Sequence, residues 1–138
     1  MSIPVRGVLG VLTGAVVWTA GFYALTTLLV HLWPDYALHA RQWLREGAFT
    51  FPPAMACFNL LIWAFAEIGA GWAAARVAKR PHAVWILAGL VGIYLAAVHL
   101  IMYLPRFPWW YNLGVVIPAV PAVLLGARLA NPSSARTR

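Results

Sequence analysis

Four long apolar runs dominate the chain, separated by short stretches rich in proline, arginine and aromatic residues. The first extends from about Pro4 to Leu32, the second over 53–79, the third over 82–104 and the fourth over 108–130. Each exceeds the ~20 residues that cross ~30 Å of hydrocarbon as a helix. Backbone polar groups in hydrocarbon must be satisfied within their own segment, so spans of this length are helical. The pattern predicts an all-α integral membrane protein: a four-helix bundle forming a single transmembrane domain, 1–138. The first run reads as a retained helix rather than a cleaved leader. Its small residues Thr19, Ala20 and Gly21 are followed by more apolar sequence.

Proline marks the borders. Pro4 suits a first helical turn, Trp33-Pro34 ends the first span, Pro52-Pro53 opens the second, and Pro81 and Pro105 bracket the third. Pro118 and Pro121 fall inside the fourth span, which should kink there while neighbouring helices satisfy the freed carbonyls. Residues 35–46 follow another pattern. Tyr36, Ala40, Trp43 and Leu44 share one helical face, with Asp35, His39, Arg41, Gln42, Arg45 and Glu46 mostly elsewhere and Gly47 as a stop. A short helix of this kind lies in the plane of the membrane interface.

Composition agrees with the pattern. The chain is 63% hydrophobic and 9% charged, with a mean hydropathy of +0.78. Soluble domains carry about 25% charged residues, so this chain has too little polar surface to cover a water-soluble globule. The net charge of +7 does not point to nucleic acid, because the basic residues sit at the ends of the apolar runs. Arg6, Arg76, Lys79, Arg80, Arg128, Arg136 and Arg138 fall on one side, against Arg41, Arg45 and Arg106 on the other. That bias predicts cytoplasmic termini and a periplasmic interfacial helix. Trp33, Trp43, Phe49, Phe51, Phe107, Trp109, Trp110 and Tyr111 would then form an aromatic belt at the outer interface, with Trp72 and Trp85 at the inner one. The single cysteine, Cys57, excludes an intrachain disulfide.

Small residues suggest how the helices pack. Gly7, Gly10, Gly14 and Gly21 share a stripe of the first helix, and Gly10 and Gly14 form a GxxxG pair that admits a close neighbour. In the second span Ala56, Leu60, Ala64, Glu67, Ala70, Gly71 and Ala74 share a face. In the third, Trp85, Gly89, Gly92, Ala96, His99 and Tyr103 recur at steps of four and three, a seam that carries His99 inward.

Glu67 is the one acid within a span, 12 residues before Lys79 and so ~18 Å along the helix, near the bilayer middle. An ionised acid there costs at least ~2.5–3.5 kcal/mol. Three readings stay open: a proton or cation site, a neutral acid acting as interhelical glue, and a contact to a partner subunit. Tyr94 reaches a similar depth but points away from the seam. His99 lies ~8 Å nearer the outside, beyond a direct hydrogen bond. Tyr23, Asn59, Tyr103 and Asn112 come to about the depth of His99. They would line a small outward-facing cavity or form a hydrogen-bonded core cluster. His99 is also the one histidine placed to hold a haem or chlorin. A bis-histidine site needs a second histidine at its depth, and His31, His39 and His82 do not match, so no cofactor and no metal is expected. No HExxH, GxSxG or phosphate-cradling glycine loop is present, so no catalytic residue is assigned and an enzyme is not expected.

The stretch Glu67-Ile-Gly-Ala-Gly-Trp-Ala-Ala-Ala-Arg-Val-Ala-Lys-Arg-Pro81 resembles the small-residue helix end and basic turn of uncharacterised small four-span bacterial inner-membrane proteins. The resemblance implies a bacterial inner membrane and no particular activity. The small multidrug transporters carry their essential acid in the first span, which here has none. The leading expectation is a non-catalytic accessory or scaffold subunit packing laterally against itself or a larger membrane complex. The alternatives are a small proton-linked transporter using Glu67 and a redox or pigment-associated membrane subunit.

Overall fold

The computed structural model describes residues 3–47 and 49–130. Arg136, Arg138 and the tail 131–138, expected to be polar and unstructured, lie outside the described residues. The described chain is helical and without strands: α1 (Ile3–Leu32), α2 (Pro34–Glu46), α3 (Pro53–Ala78), α4 (Pro81–Ala96), a π-helical segment (Ala97–Tyr103) and α5 (Trp109–Ala130). Four helices are long and apolar enough to cross a membrane, α4 and the π-helical segment counting as one. The borders fall where the prolines predict. Proline opens α2, α3 and α4, where its missing N–H costs no helical hydrogen bond. α5 continues as one helix with Pro118 and Pro121 inside it. Gly47 ends α2 at φ +65°, its N–H donating to the carbonyl of Trp43 at 2.8 Å. Lys79 closes α3 in the same left-handed conformation, φ 53°, without glycine's freedom.

α3 is the central helix, with α1 antiparallel on one side and α5 parallel on another. Toward α1 it turns an alanine at every fourth position: Ala66, Ala70, Ala74 and Ala78, all buried. Gly10 and Gly14 sit on this ladder. A Cβ on Gly10 would come within 3.0 Å of the Ala74 carbonyl, and one on Gly14 within 3.0 Å of the Ala70 carbonyl. Gly21 makes only ordinary contact with Ala66, at 3.8 Å. Toward α5 the contact is tighter and reciprocal. Gly71 lies on the Val123 backbone and Gly126 on the Ile68 backbone, so that a side chain at either glycine would run into a carbonyl. Dispersion and close backbone approach hold such a crossing without any hydrophobic gain over lipid.

Two packing expectations need correction. Gly7 and Gly89 have nothing within 4 Å of where a Cβ would stand, so neither packs inside the bundle. The seam on the third span is also misplaced. Trp85 is 58% exposed, and the buried stripe runs through Val84, Leu87, Ala88, Val91, Leu95 and His99. Ala96 is only partly buried, although Gly92 does pack, against the Val120 side chain. The physical reason is the π-helical segment. Its wider turn shifts the face by about one residue, so counting back from His99 in 3.6-residue steps gives the wrong stripe.

Candidate functional site

α2 is joined to α1 through Trp33 alone and to α3 through residues 47–52. Connections this short fold α2 back over its end of the bundle. There it roofs a cavity of about 490 Å³. α1 contributes Trp18, Phe22 and Thr26 to the wall. α2 contributes Tyr36 and Trp43, α3 contributes Asn59 and Trp63, and the π-helical segment contributes His99 and Tyr103. Phe49, Phe51, Phe107 and Tyr111 complete it. Thr19 and Tyr23 on α1 and Tyr94 on α4 line it while remaining exposed on the bundle surface, Tyr23 at 66% and Tyr94 at 54%.

The wall corrects the expected aromatic belt. Trp43, Phe49, Phe51, Phe107 and Tyr111 face one another rather than an outer rim, with ring centroids 4.9 Å apart for Phe49–Phe107 and 4.8 Å for Phe49–Tyr111. Trp109, at 69% exposed, keeps the outward position. Deeper in the wall Phe22 stacks on Trp63 at 4.1 Å, and Trp18 meets Tyr94 edge-on at 5.6 Å. Trp72, at the opposite end, lies under the Arg76 guanidinium at 5.2 Å.

The expected polar group divides in two. His99 and Asn112 come together, both buried, with His99 Nδ1 3.0 Å from Asn112 Oδ1. Asn112 Nδ2 donates to the carbonyls of Phe107 and Pro108, each at 3.2 Å. Those carbonyls fix the amide, so its oxygen faces the imidazole and His99 Nδ1 must carry the proton. Four rings enclose His99: Tyr103 at 5.4 Å, Trp63 at 5.9 Å, Tyr111 at 6.1 Å and Phe107 at 6.5 Å. Asn59 belongs to a second pair, its Nδ2 donating to the Tyr36 hydroxyl at 3.0 Å. Burial pushes the Tyr36 phenol up to about 12, and the Asn59 hydrogen bond partly offsets this. Tyr36–Asn59 ties α2 to α3, and His39–Thr50, at 3.1 Å, ties α2 to the connection that follows it.

Three residues that line the cavity each carry a polar atom that is buried away from it and has no partner among the described residues: Trp18 Nε1, Thr26 Oγ1 and Asn59 Oδ1. Sequence reasoning missed Trp18 and Thr26, since neither residue type is costly in a membrane helix. Glu67 lies outside the wall, one helical turn from Trp63 near the middle of α3. It is fully buried, as its inward placement predicts, and both carboxyl oxygens lack a partner among the described residues. Among the described residues no three histidine, cysteine or acidic side chains gather into a metal-binding group.

A cavity of this size with mostly aromatic walls can hold a mainly apolar molecule. No family model, curated protein or solved structure shows significant similarity to the chain, so the cavity is read from its own geometry.

Proposed function

We propose that this small multi-pass membrane protein is a non-catalytic accessory protein of a bacterial inner membrane that takes a lipophilic small molecule from the bilayer into the cavity beneath α2. The observation that carries this reading is the cavity itself. It has room for a ring system, walls made mostly of aromatic rings, and two lining residues, Tyr23 and Tyr94, that are also exposed on the bundle surface. A flat, mainly apolar molecule seated there would meet ring faces and edges on several sides. A purely scaffolding role draws less support. Gly10, Gly14, Gly71 and Gly92, which suggested lateral packing, are occupied inside the chain.

The test is purification in mild detergent, organic extraction and mass spectrometry of what is released. The expected result is one class of apolar small molecule in near-stoichiometric amount. It should be absent from Val98→Trp and Ala40→Trp variants, which fill the cavity from two sides. The same extract from wild type and both folded variants would overturn the reading.

One observation favours a second reading, proton-linked transport. The Glu67 carboxyl is sealed and unpartnered one turn from the cavity wall, a position where an acid exchanging its proton would couple to occupancy. In proteoliposomes Glu67→Gln would then abolish flux while leaving assembly intact. Unchanged flux would remove this reading.

A further inference from the structure

The arginine-rich end of the bundle carries charge without a counter-charge. Arg6, Arg76, Lys79, Arg80 and Arg128 stand there, all exposed, at or beside the ends of the spanning helices. The chain has 3 acidic side chains. Asp35 and Glu46 lie in the first and last turns of α2, at the opposite end, and Glu67 is buried inside the bundle. Among the described residues no acidic side chain therefore stands where it could neutralise these cations.

Arg128 differs from the others in lining a groove. Between α4 and α5 lies a space of about 270 Å³ bordered by Trp85, Val120, Pro121, Leu124, Leu125 and Arg128. Trp85 is 58% and Leu125 46% exposed, so the groove is on the outer surface of the bundle, away from the tight α3 crossings. Its closed end is where Gly92 packs on the Val120 side chain. At the helical rise per residue, Trp85 on α4 and Arg128 on α5 both stand roughly 10–12 Å from that point toward the arginine-rich end. The groove thus runs along the helices, with an indole and a guanidinium bordering its mouth and apolar side chains along its length.

We infer that this groove seats an anionic phospholipid, its phosphate on Arg128 and one acyl chain along Leu125, Leu124 and Pro121 toward Val120. Charge complementarity selects the occupant. The uncompensated cations favour a headgroup with net negative charge over a zwitterionic one, and basic recesses between spanning helices bind anionic headgroups. Arg128 stands in the last turn of α5, the level at which arginine and tryptophan meet headgroups, and a guanidinium can answer phosphate with two N–H donors at once. A free phosphate would satisfy Arg128 and leave the apolar length unfilled. The site is separate from the cavity beneath α2 and does not depend on what that cavity holds.

The experiment reconstitutes the full chain in nanodiscs of equal parts phosphatidylglycerol and phosphatidylethanolamine, releases it into mild detergent and reads the retained lipid by native mass spectrometry. Retained lipid should favour phosphatidylglycerol about fivefold, the equivalent of the ~1 kcal/mol that one basic residue contributes near an anionic surface. Arg128→Gln should bring that preference close to parity. Leu125→Trp keeps the cation but fills the apolar length, and should lower retention of either lipid severalfold. Arg6→Gln removes the same charge from the same end, outside the groove, and should keep the wild-type pattern. All three changes fall on exposed side chains, so melting followed by circular dichroism should match wild type. No preference in the wild type overturns the inference. Equal losses in Arg6→Gln and Arg128→Gln also overturn it, because they show diffuse surface charge and no site. Retention untouched by Leu125→Trp overturns the seated chain. A lipid-free dimer in the spectrum puts a second copy of the chain in the groove instead.

Discussion

The two halves of the bundle are built on opposite principles. At the arginine-rich end, α3 meets α1 and α5 through glycine and alanine, and backbones approach until a single Cβ would collide. At the α2 end α1, α3 and the π-helical segment carry Trp18, Phe22, Trp63, His99 and Tyr103, which hold the backbones apart and leave about 490 Å³ unfilled. Small residues give tight packing and leave no room for a ligand. Large rings give room, because rigid planes meeting at varied angles do not tile space. One half therefore fixes the helix positions on which the other half's cavity depends, and variants in the two halves should behave differently.

The largest effect is expected at the α3–α5 crossing. Gly71→Leu or Gly126→Leu drives a side chain into a backbone carbonyl, which no rotamer change can relieve. Overpacking costs about 1–3 kcal/mol where side chains can yield and more where backbone must move. Neither variant should yield folded protein in detergent, as judged by gel filtration and helical circular dichroism. Near-normal melting would mean that the crossing is looser than described and that the contrast between the halves is overstated.

A smaller effect is expected in the hollow half. Asn112→Leu leaves His99 Nδ1 without its acceptor, and His99→Leu leaves the Asn112 oxygen without its donor. Each should cost about 1–3 kcal/mol, the penalty for a stranded buried polar group. The double variant should cost less than the sum of the two, since each change removes the group the other strands. Additive losses would show that the pair is not coupled and that the imidazole tautomer is not set by Asn112.

The sequence made these two halves legible to different degrees. The spans, the α2 helix and its Gly47 stop follow from hydropathy and turn chemistry that act locally. The inward placement of Glu67, His99 and Asn112 follows from the cost of exposing them to lipid. Gly10 and Gly14 stand at a recognisable spacing, whereas Gly126 stands alone, and its partner lies on another helix. The π-helical turn has no signature in residue type, so the sequence pattern places the buried face of α4 one residue off. The cavity was hidden most fully. Tryptophan and phenylalanine suit a lipid interface and a cavity wall equally, and only the return of α2 across the bundle end separates the two uses.

Glu67 belongs to neither half, and its substitutions should have a small effect of unusual sign. With both oxygens unpartnered, the carboxyl carries a desolvation cost that no contact among the described residues offsets. Glu67→Leu should therefore leave thermal stability unchanged or raise it by about 1 kcal/mol, and Glu67→Gln should change it less. A loss of stability in both variants would reveal a partner for the acid outside the chain. That would move Glu67 from the cavity's account to an interface.

The smallest effect is expected at Gly7 and Gly89, the two glycines facing open space on α1 and α4. Gly7→Leu and Gly89→Leu should shift stability by no more than about 0.5 kcal/mol, as substitutions at unpacked positions do. Their value lies in a second readout, the size of the purified particle in mild detergent. Among the described residues nothing needs these positions to be small. If either variant shrinks the particle without altering melting, the small residue is required by another helix, and lateral association runs through that face. If particle size and melting both stay put, the glycines are neutral there. The close packing of the chain is then confined to the arginine-rich half, and the aromatic cavity is what distinguishes the other.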